Sequence, residues 1–368
     1  MNGLYLSNYN IKDFSSGVSK KIRMQLDSFE NLGVKMDAPT VFTDSIISKI
    51  YTRMPFTSNL YDLKCKMYLK KNNIEKYDFV YIRHNIITKQ LIANLRYIRN
   101  KGIKVFYEIP TYPYDRNEND PLNYFIREKD RKWRSEIKKV VDYVVDFSGS
   151  ESIYGAPTIV VTNGVNINLF RPVVHDKKKQ TIDLIAVALM AEVHGFDRVI
   201  EGMHNYYVNH ENKDRIVRFH IVGDGAVRKK LQCMVKEYGL TEYVTFYGFM
   251  CGDELDRIYD ACDIGVGVLG IHRRYKGQKV SSLKTKEYAA KGLPFINGEN
   301  DDAFIKFKYS FEVESNDDPL NIEDVIKWYE RLVTNEDVDT ITQNIRGYAR
   351  DNLTWDTQLK KIIERVRE

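Results

Sequence analysis

Features that would place this chain outside the cytoplasm or across a membrane are missing from its sequence. The segment 1–6 has neither the basic region nor the apolar region of a signal peptide. The longest apolar runs, such as segment 264–271, fall well short of the ~20 residues that a membrane span needs. We therefore expect a cytoplasmic protein.

The sequence also lacks the usual patterns of metal, disulfide and hydrolase sites. Its four cysteines show no Cys-x-x-Cys spacing, which argues against a zinc finger or a disulfide scaffold. Histidines and carboxylates form no cluster with ligand spacing, so we expect a metal-independent protein without a cofactor. Neither a phosphate-binding P-loop nor the nucleophile elbow of hydrolases occurs, which argues against an ATPase or a hydrolase.

What is present is the composition of a globular protein with two domains. Hydrophobic residues make up 43% of the 368 residues and charged residues 29%. A single core rarely grows beyond ~250–300 residues, so a chain of this length favours two cores.

One segment is strongly basic although the net charge of the chain is only +5. Segment 127–139 has seven basic residues against three acidic ones, with Phe125 and Trp133 nearby. It is either a solvated helix face or a surface for anionic lipid headgroups or a phosphate-bearing acceptor. Contact with lipid would place the protein at the inner face of the cell membrane. No nucleic-acid recognition motif accompanies the charge, so we expect no nucleic-acid partner.

Strand-like and helix-like segments alternate along the whole chain. Helical patterns occupy segments 18–32 and 91–99 in the first half. Strands are predicted for segments 3–7, 79–82, 105–109, 183–189, 218–222, 244–246, 264–268 and 295–296. Such alternation favours two doubly wound α/β domains, each with a parallel sheet.

The linker between the domains is marked by a turn at Asn163-Gly164, by Arg171-Pro172 and by the charged run 176–179. We predict domains at 1–170 and 171–351, with a C-terminal helix at about 352–368 that joins the first domain. Ligands should bind in the cleft between the two sheets, at the carboxyl ends of their strands.

Five short motifs follow one another from residue 161 onward. They are residues 161–172 (VTNGVNINLFRP), 195–200 (GFDRVI), 221–225 (IVGDG), 246–248 (FYG) and 283–294 (LKTKEYAAKGLP). Their order and spacing resemble glycosyltransferase family 4. The likeness is specific from about residue 161 to 296 and only general in the first domain.

This resemblance implies the GT-B fold, in which two Rossmann-like domains face each other across a cleft. It implies a retaining hexosyltransferase that moves a sugar from a nucleotide diphosphate-sugar to a glycan or polyprenyl-linked acceptor in surface polysaccharide synthesis. The first domain would bind the acceptor and the second the donor. In this family the departing phosphate is described as taking the acceptor's proton, so no side-chain nucleophile is needed.

The resemblance also suggests which residues hold the donor. Backbone amides at a helix N-terminus bind phosphate, which points to Ser281, Ser282, Leu283 and Lys284. Glu287 stands where the family has the glutamate that binds the ribose hydroxyls. The alternative is a solvent-facing helix glutamate.

Two glycines are expected near the donor. Gly223 belongs to the IVGDG motif, and Gly17 stands where the family has a glycine loop after the first strand. A glycine lets the backbone approach phosphate or sugar closely. An ordinary helix cap formed by Ser15 and Ser16 explains the second segment as well.

The chain departs from the family pattern at the diphosphate. The family typically has an arginine and a lysine there, whereas this chain has Leu189 and His194. Lys284 and Arg198 are therefore the predicted cations. His194 is predicted to act as a hydrogen-bond donor, or as a cation if phosphate raises its pKa; a helix-capping histidine is the alternative.

A second departure concerns a carboxylate that many retaining members have eight residues before the ribose-binding glutamate. Lys279 occupies that position, within the basic segment 273–279. This segment suits an anionic donor or acceptor, or it is a solvated loop.

In the first domain, Glu108 ends a predicted strand and should face the cleft. It would bind acceptor hydroxyls or assist their deprotonation, and a purely structural role is the alternative. Many relatives have a histidine after this strand, which is absent here. Tyr112 and Tyr114 follow the strand and would either stack on a sugar ring or stiffen the loop.

Two other functions stay open at this point. Loss of the expected residues at positions 189 and 279 would suit a non-catalytic scaffold that binds sugar nucleotides. A sugar-nucleotide epimerase of the same fold would turn over a free UDP-sugar without an acceptor.

Overall fold

The computed structural model describes residues 1–13, 16–54, 57–83, 85–114, 124–175, 180–209, 215–274 and 280–368. These residues divide into two compact units. Unit 1 consists of Met1–Thr162 and Trp355–Glu368, and unit 2 consists of Asn163–Thr354. The boundary predicted between residues 170 and 171 lies further along the chain, and the charged run 176–179 is outside the described residues.

The sheet of unit 1 is parallel except at one edge. Its strands are β1 (Asn2–Leu6), β2 (Lys35–Asp37), β3 (Phe79–Arg83), β4 (Lys104–Ile109), β5 (Tyr143–Asp146), β6 (Ser152–Ile153) and β7 (Ala156–Val160). They lie in the order β2-β1-β3-β4-β5-β7-β6, and only β6 runs antiparallel to its neighbour. All residues of β3 are buried, as expected for a central strand covered on both faces.

Five helices of unit 1 precede unit 2 in the described part of the chain. They are α1 (Gly17–Asn31), α2 (Ile46–Arg53), α3 (Leu60–Lys71), α4 (Lys89–Arg99) and α5 (Tyr124–Trp133). Helix α1 begins after Ser16, whose side chain accepts a hydrogen bond from Ser19 N at 3.3 Å. This contact confirms the capping role predicted for Ser16, while Ser15 lies outside the described residues.

Unit 2 has a fully parallel sheet. Its strands are β8 (Thr181–Val187), β9 (Ile216–Val222), β10 (Val244–Gly248), β11 (Ile264–Val266), β12 (Phe295–Asn297) and β13 (Ser310–Glu312). They lie in the order β10-β9-β8-β11-β12-β13. The helices are α6 (Phe196–Asn209), α7 (Arg228–Glu237), α8 (Gly252–Asp260), α9 (Leu283–Lys291), α10 (Ile322–Asn335) and α11 (Val338–Asn352).

The last helix, α12 (Trp355–Arg367), belongs to unit 1. Its apolar face contains Trp355, Leu359 and Ile362, which are at most 1% exposed and share a cluster with residues of the sheet. Lys104 Nζ also donates to the carbonyl of Arg365 at 2.8 Å. The end of the chain therefore completes the core of unit 1. No helix in the described ranges is long and apolar enough to cross a membrane.

The predicted alternation of strands and helices is confirmed, and so are two parallel sheets with helices around them. The strands that the sequence patterns missed are short, but helices α2 and α3, with eight and twelve residues, were missed as well. Strands β2 and β13 have three residues each, too few for a visible period.

Candidate functional site

Four loops of unit 2 meet at one edge of its sheet. They follow β8, β9, β11 and β12, and these strands are parallel, so their carboxyl ends point the same way. Ligands of open α/β sheets bind at this edge. All residues predicted to bind the donor, except Gly17, lie in these loops or on helices α6 and α9 that follow them.

Glycines allow these loops to pack closely against one another. An added Cβ at Gly223 would lie 2.0 Å from the carbonyl oxygen of Ala188, and one at Gly195 would lie 2.8 Å from the amide nitrogen of Gly270. Both glycines have positive φ angles, 120° and 65°. Gly223 therefore has a packing role. At Gly17 a Cβ would meet nothing within 4 Å among the described residues, so the fold does not require a glycine there.

The start of α9 presents a buried cation. Lys284 Nζ has no hydrogen-bond partner in the part of the chain that the structure describes, and it lies 5.1 Å from the centre of the Phe196 ring. Burial lowers the pKa of Lys284 to about 7, against the opposing charges of Glu299 and Glu287. A buried ammonium without a partner is costly, which indicates a site built for an anion.

The loop before α9 is hydrogen-bonded to Asn163, which belongs to the motif at residues 161–172. Asn163 Nδ2 donates to the carbonyl of Ser281 at 2.5 Å, and Asn163 N donates to Ser281 Oγ at 3.3 Å. Ser282 is the N-cap residue, but its side chain makes no capping hydrogen bond in the described structure. Ser281 thus positions the helix start, and the first-turn amides are left for a ligand.

His194 lies in the same region and is neutral. Its Nδ1 accepts a hydrogen bond from Ala191 N at 3.1 Å, so the ring proton sits on Nε2. Burial, and secondarily the charge of Lys284, lowers the pKa of His194 to about 3. The predicted helix-capping role is confirmed, and the imidazole can also donate from Nε2. It supplies no positive charge at neutral pH.

Arg198 was predicted to meet the diphosphate, and the structure argues against this. The side chain is 3% exposed and donates to the backbone carbonyls of Leu269, Glu314 and Asp318 and to the side chain of Asn316. A guanidinium engaged in this way holds two loops together and has little capacity left for phosphate.

Glu108 was predicted to act on the acceptor, and its surroundings in unit 1 argue for a structural role instead. The side chain is fully buried on β4 and forms ion pairs with Lys21, at 3.2 Å, and with Arg83. Tyr81 and Gln25 donate hydrogen bonds to its other oxygen, at 2.6 and 2.9 Å. Burial alone would raise its pKa, but the two cations and these donors hold it at about 2. Such a carboxylate is a poor base.

The tyrosines after β4 are also engaged within unit 1. Tyr112 packs edge-on against Tyr154, with ring centres 5.6 Å apart. Tyr114 donates to Asp130 Oδ2 at 2.8 Å. These contacts favour the predicted loop-stiffening role over sugar stacking.

At least four of the seven basic side chains in segment 127–139 are engaged by neighbours in unit 1. Lys129 Nζ donates to Thr52 O at 2.7 Å, and Arg134 pairs with Asp130 at 2.6 Å. Arg131 and Lys139 pair with Glu128 and Glu136. The segment keeps its excess of seven basic over three acidic residues, but these four basic side chains are engaged by neighbouring groups. The other predicted basic segment, 273–279, is described only up to Arg274, and Lys279 lies outside the described residues.

Unit 1 contains a cavity of about 540 Å³ beside the carboxyl ends of β1 and β3. Amides and hydroxyls dominate its lining, with two cations from α2, Lys49 and Arg53, and two carboxylates, Asp13 and Asp44. Lys49 pairs with Asp44 at 2.8 Å. The side-chain nitrogen of Asn85 is buried and has no partner among the described residues. Such a polar lining fits a hydroxylated ligand.

Glu299, which the sequence analysis did not single out, faces the start of α9. Its Oε2 accepts a hydrogen bond from Ser282 N at 3.2 Å, whereas Oε1 is buried without a partner in the described residues. Burial raises the pKa of Glu299 to about 7. Its position directly after a buried strand, in Asn297-Gly298-Glu299, was the available signal. Within the described residues, no group of three histidine, cysteine or acidic side chains could hold a metal ion.

Comparisons with known proteins give the context of this site. The family model described as "Glycosyl transferases group 1" matches residues 170–267. No curated protein sequence matches the chain significantly.

Solved structures resemble the whole chain in fold. The Anabaena protein Alr3699/HepE in complex with UDP has a TM-score of 0.66 at 14% identity, over 100% of this chain and 99% of that one. A glycosyltransferase from Rickettsia africae has a TM-score of 0.64 at 12% identity, over 100% and 97%. Sucrose-phosphate synthase from Thermosynechococcus elongatus has 0.62 at 15% identity, over 100% and 98%. The chain therefore has the GT-B fold of two Rossmann-like domains, and its segment 170–267 matches the group 1 glycosyl transferases.

Proposed function

We propose that this protein is a retaining glycosyltransferase that moves a sugar from a nucleotide diphosphate-sugar to a hydroxyl of a glycan acceptor. The observation that supports this most is the buried, unpartnered ammonium of Lys284 at the start of α9. It lies at the ligand-binding edge of a GT-B sheet, where a diphosphate would satisfy it. UDP is bound in the Anabaena structure, so uridine nucleotides are the first to test.

The donor site would consist of groups with different tasks. Lys284, the first-turn amides of α9 and His194 Nε2 bind the diphosphate and stabilise its charge as it leaves. Glu287, one helical turn after Lys284, binds the ribose, as the family resemblance implies. No metal takes part in this proposal.

The reaction needs no protein nucleophile. The bond between the anomeric carbon and the phosphate oxygen breaks, and the acceptor oxygen bonds to the same face of that carbon. The acceptor's proton passes to a phosphate oxygen of the departing nucleotide diphosphate, so atoms and charge balance. Lys284 assists by stabilising the negative charge that develops on the phosphate.

The acceptor would bind unit 1, in the cavity lined by amides, hydroxyls, Lys49 and Arg53. A growing glycan on a polyprenyl diphosphate matches these groups, since its hydroxyls suit the amides and a phosphate suits Arg53, whereas Lys49 already pairs with Asp44. Cell-surface polysaccharide synthesis is the corresponding pathway class.

A membrane surface would lie beside this cavity. Ser48 and Thr52 of α2 line the cavity, while Ile46, Ile47 and Ile50 of the same helix are 77%, 73% and 57% exposed. Exposed isoleucines next to Lys49 and Arg53 fit the headgroup region of an anionic membrane. This surface replaces the basic segment 127–139 as the proposed lipid contact.

Calorimetry with UDP, GDP, dTDP and ADP, with and without magnesium, tests the donor site. We expect one nucleotide to bind without metal, and Lys284→Ala and Glu287→Ala to weaken it. Lys327→Ala, at a lysine 65% exposed on α10, is the matched control and should bind normally.

Turnover separates the proposed transfer from other functions. Release of nucleotide diphosphate that depends on an acceptor supports a transferase. Binding without any turnover would indicate a scaffold, and conversion of the free UDP-sugar without acceptor would indicate an epimerase. Absence of nucleotide binding would contradict the donor site itself.

A further inference from the structure

The start of α9 holds two buried polar atoms of opposite charge that lack partners. Lys284 Nζ and Glu299 Oε1 have neither a hydrogen bond nor an ion pair to any described residue. Natural proteins rarely leave such atoms unsatisfied. An anion alone would satisfy Lys284 but not Glu299, so the ligand must also present a hydrogen-bond donor.

Glu299 is held firmly in this position. Its backbone nitrogen donates to Asn297 Oδ1 at 3.2 Å, and Asn297 Nδ2 donates to the carbonyl of Glu299 at the same distance. An added Cβ at Gly298 would lie 2.8 Å from the carbonyl of Val268, so the loop packs directly on the one after β11. Because Glu299 Oε2 accepts a hydrogen bond from Ser282 N, the orientation of the carboxylate is set, and so is the direction of its other oxygen, Oε1.

The nearby ion pair of Lys286 and Asp301 provides no hydrogen-bond partner for the free oxygen of Glu299. Lys286 is fully buried and pairs with Asp301, which is 1% exposed on its side chain. Asp301 also accepts a hydrogen bond from Ala303 N at 3.0 Å. The charge of Lys286 opposes the rise that burial causes in the pKa of Glu299, but it gives Oε1 no hydrogen bond, so this oxygen is available for a ligand.

We propose that Glu299 accepts a hydrogen bond from a hydroxyl of the transferred sugar while Lys284 binds the adjoining diphosphate. This inference rests on the proposed donor site. Glu299 binds the N-cap residue of α9 from a neighbouring loop, Lys284 lies in the first turn of this helix, and Glu287 lies one turn further along it. A nucleotide diphosphate-sugar has the matching covalent order of sugar, diphosphate and ribose. Glu299 therefore contributes to the choice of donor sugar.

Comparing ligands with and without the sugar tests this assignment. Calorimetry would measure the affinities of UDP and UDP-glucose, or of the corresponding pair for whichever nucleotide binds, in the wild type and in Glu299→Gln. The glutamine retains an oxygen for Ser282 N but loses the negative charge. We expect affinity for the sugar nucleotide to fall about tenfold and affinity for the free nucleotide to stay within about twofold.

Glu330→Gln is the matched control, because Glu330 lies on α10 and its carboxylate already accepts a hydrogen bond from Arg215 at 2.7 Å, with no bond to Glu299 or Asn297 in the described structure. It should leave both affinities unchanged. Deoxy-sugar donors locate the contact further: removal of the hydroxyl that Glu299 binds should weaken binding to the wild type but not to Glu299→Gln.

Each alternative result has a distinct meaning. Equal losses for both ligands would show that Glu299 only positions α9, and unchanged affinities would show that it has no role; either result overturns the inference while the donor site stands. If the wild type binds no nucleotide, the donor site and the inference fail together. A melting curve for Glu299→Gln that matches the wild type shows that any loss of affinity is not a loss of folding.

Discussion

Glu108 in unit 1 and the two charged side chains at the start of α9 in unit 2 are all buried, but their surroundings differ. In unit 1, Glu108 has two cations and two hydrogen-bond donors around it. In unit 2, Lys284 and Glu299 each retain an atom without a partner in the described structure. A satisfied cluster stabilises the fold, whereas an unsatisfied one awaits a ligand. The contrast concerns the Glu108 carboxylate and the two groups at the start of α9, because Arg83 Nε and Asp62 Oδ1 in unit 1 also lack a hydrogen-bond partner in the described structure.

The largest effect should follow from breaking the satisfied cluster. Glu108→Ala leaves Lys21 and Arg83 buried without their anion and should lower the free energy of unfolding by about 3–5 kcal/mol. Chemical denaturation measures this. Glu75→Ala, which removes an exposed partner of Lys101, is the control and should change stability very little. A stable Glu108→Ala variant with impaired transfer would instead return Glu108 to the acceptor site.

Two lysines of α9 provide the sharpest test within unit 2. Lys286→Met breaks the buried pair with Asp301 and should cost about 3–5 kcal/mol of stability. Lys284→Met removes a cation that has no partner among the described residues, so stability should stay level or rise by about 1 kcal/mol.

Nucleotide affinity should nevertheless fall about 10–100-fold in Lys284→Met, because a charge-assisted contact to phosphate is lost. Denaturation curves and calorimetry on the same samples separate the two quantities. Strong destabilisation of Lys284→Met together with normal binding would reverse the roles that we assign to the two lysines.

Arg198 should behave like the residues of a structural cluster although it lies in unit 2. Arg198→Lys cannot replace the contacts to the carbonyls of Leu269 and Asp318 together, and should lower stability by about 1–3 kcal/mol. The loss of nucleotide affinity should be smaller than for Lys284→Met. An unaltered melting temperature with a large loss of affinity would show that Arg198 binds phosphate after all.

The pH dependence of binding gives a finer distinction. Burial places the pKa of Lys284 at about 7, and a bound phosphate would raise it, so binding takes up a proton as the pH rises above 7. Affinity for free UDP, which has no sugar for Glu299 to bind, should therefore fall between pH 7 and 9, by at most about tenfold per pH unit.

Two variants identify the side chain that causes this pH dependence of affinity. In Lys284→Met the affinity should no longer fall between pH 7 and 9. In Glu299→Gln the affinity should begin to fall at a lower pH than in the wild type, because the variant lacks the carboxylate that favours the charged form of Lys284. A wild-type affinity that is constant over this range would contradict the assignment of Lys284 to the diphosphate.

The smallest effect on stability is expected at the surface of α2. Ile47 and Ile50 are 73% and 57% exposed, so Ile47→Ser and Ile50→Ser should change stability by less than about 0.5 kcal/mol. Binding to phosphatidylglycerol vesicles should be lost, as measured by co-sedimentation. Phe249→Ser in unit 2, at a side chain 82% exposed, is the control and should leave vesicle binding intact. Unchanged binding in the α2 variants would exclude this surface.

Sequence patterns predicted helices α1, α4 and α12 and most strands of unit 2, but they missed helices α2 and α3 and strands β5 and β7 of unit 1. Helix α12 was expected at its observed place because Leu359, Ile362 and Ile363 follow a helical period. Short edge strands such as β2 were missed, since three residues establish no period. The start of α9 was identified from the family resemblance, and there the structure adds the unpartnered ammonium of Lys284.

By itself, the sequence determined the α/β alternation, two parallel sheets and the group of loops in which a ligand site would lie. Those features depend on local periodicity and on motif order, which are properties of the linear chain. Only the tertiary structure decided that Arg198 and Glu108 are engaged by neighbours and that Lys284 and Glu299 are not. Burial and hydrogen-bond partners come from residues distant in the chain, such as Asp318 for Arg198, and no local pattern encodes them.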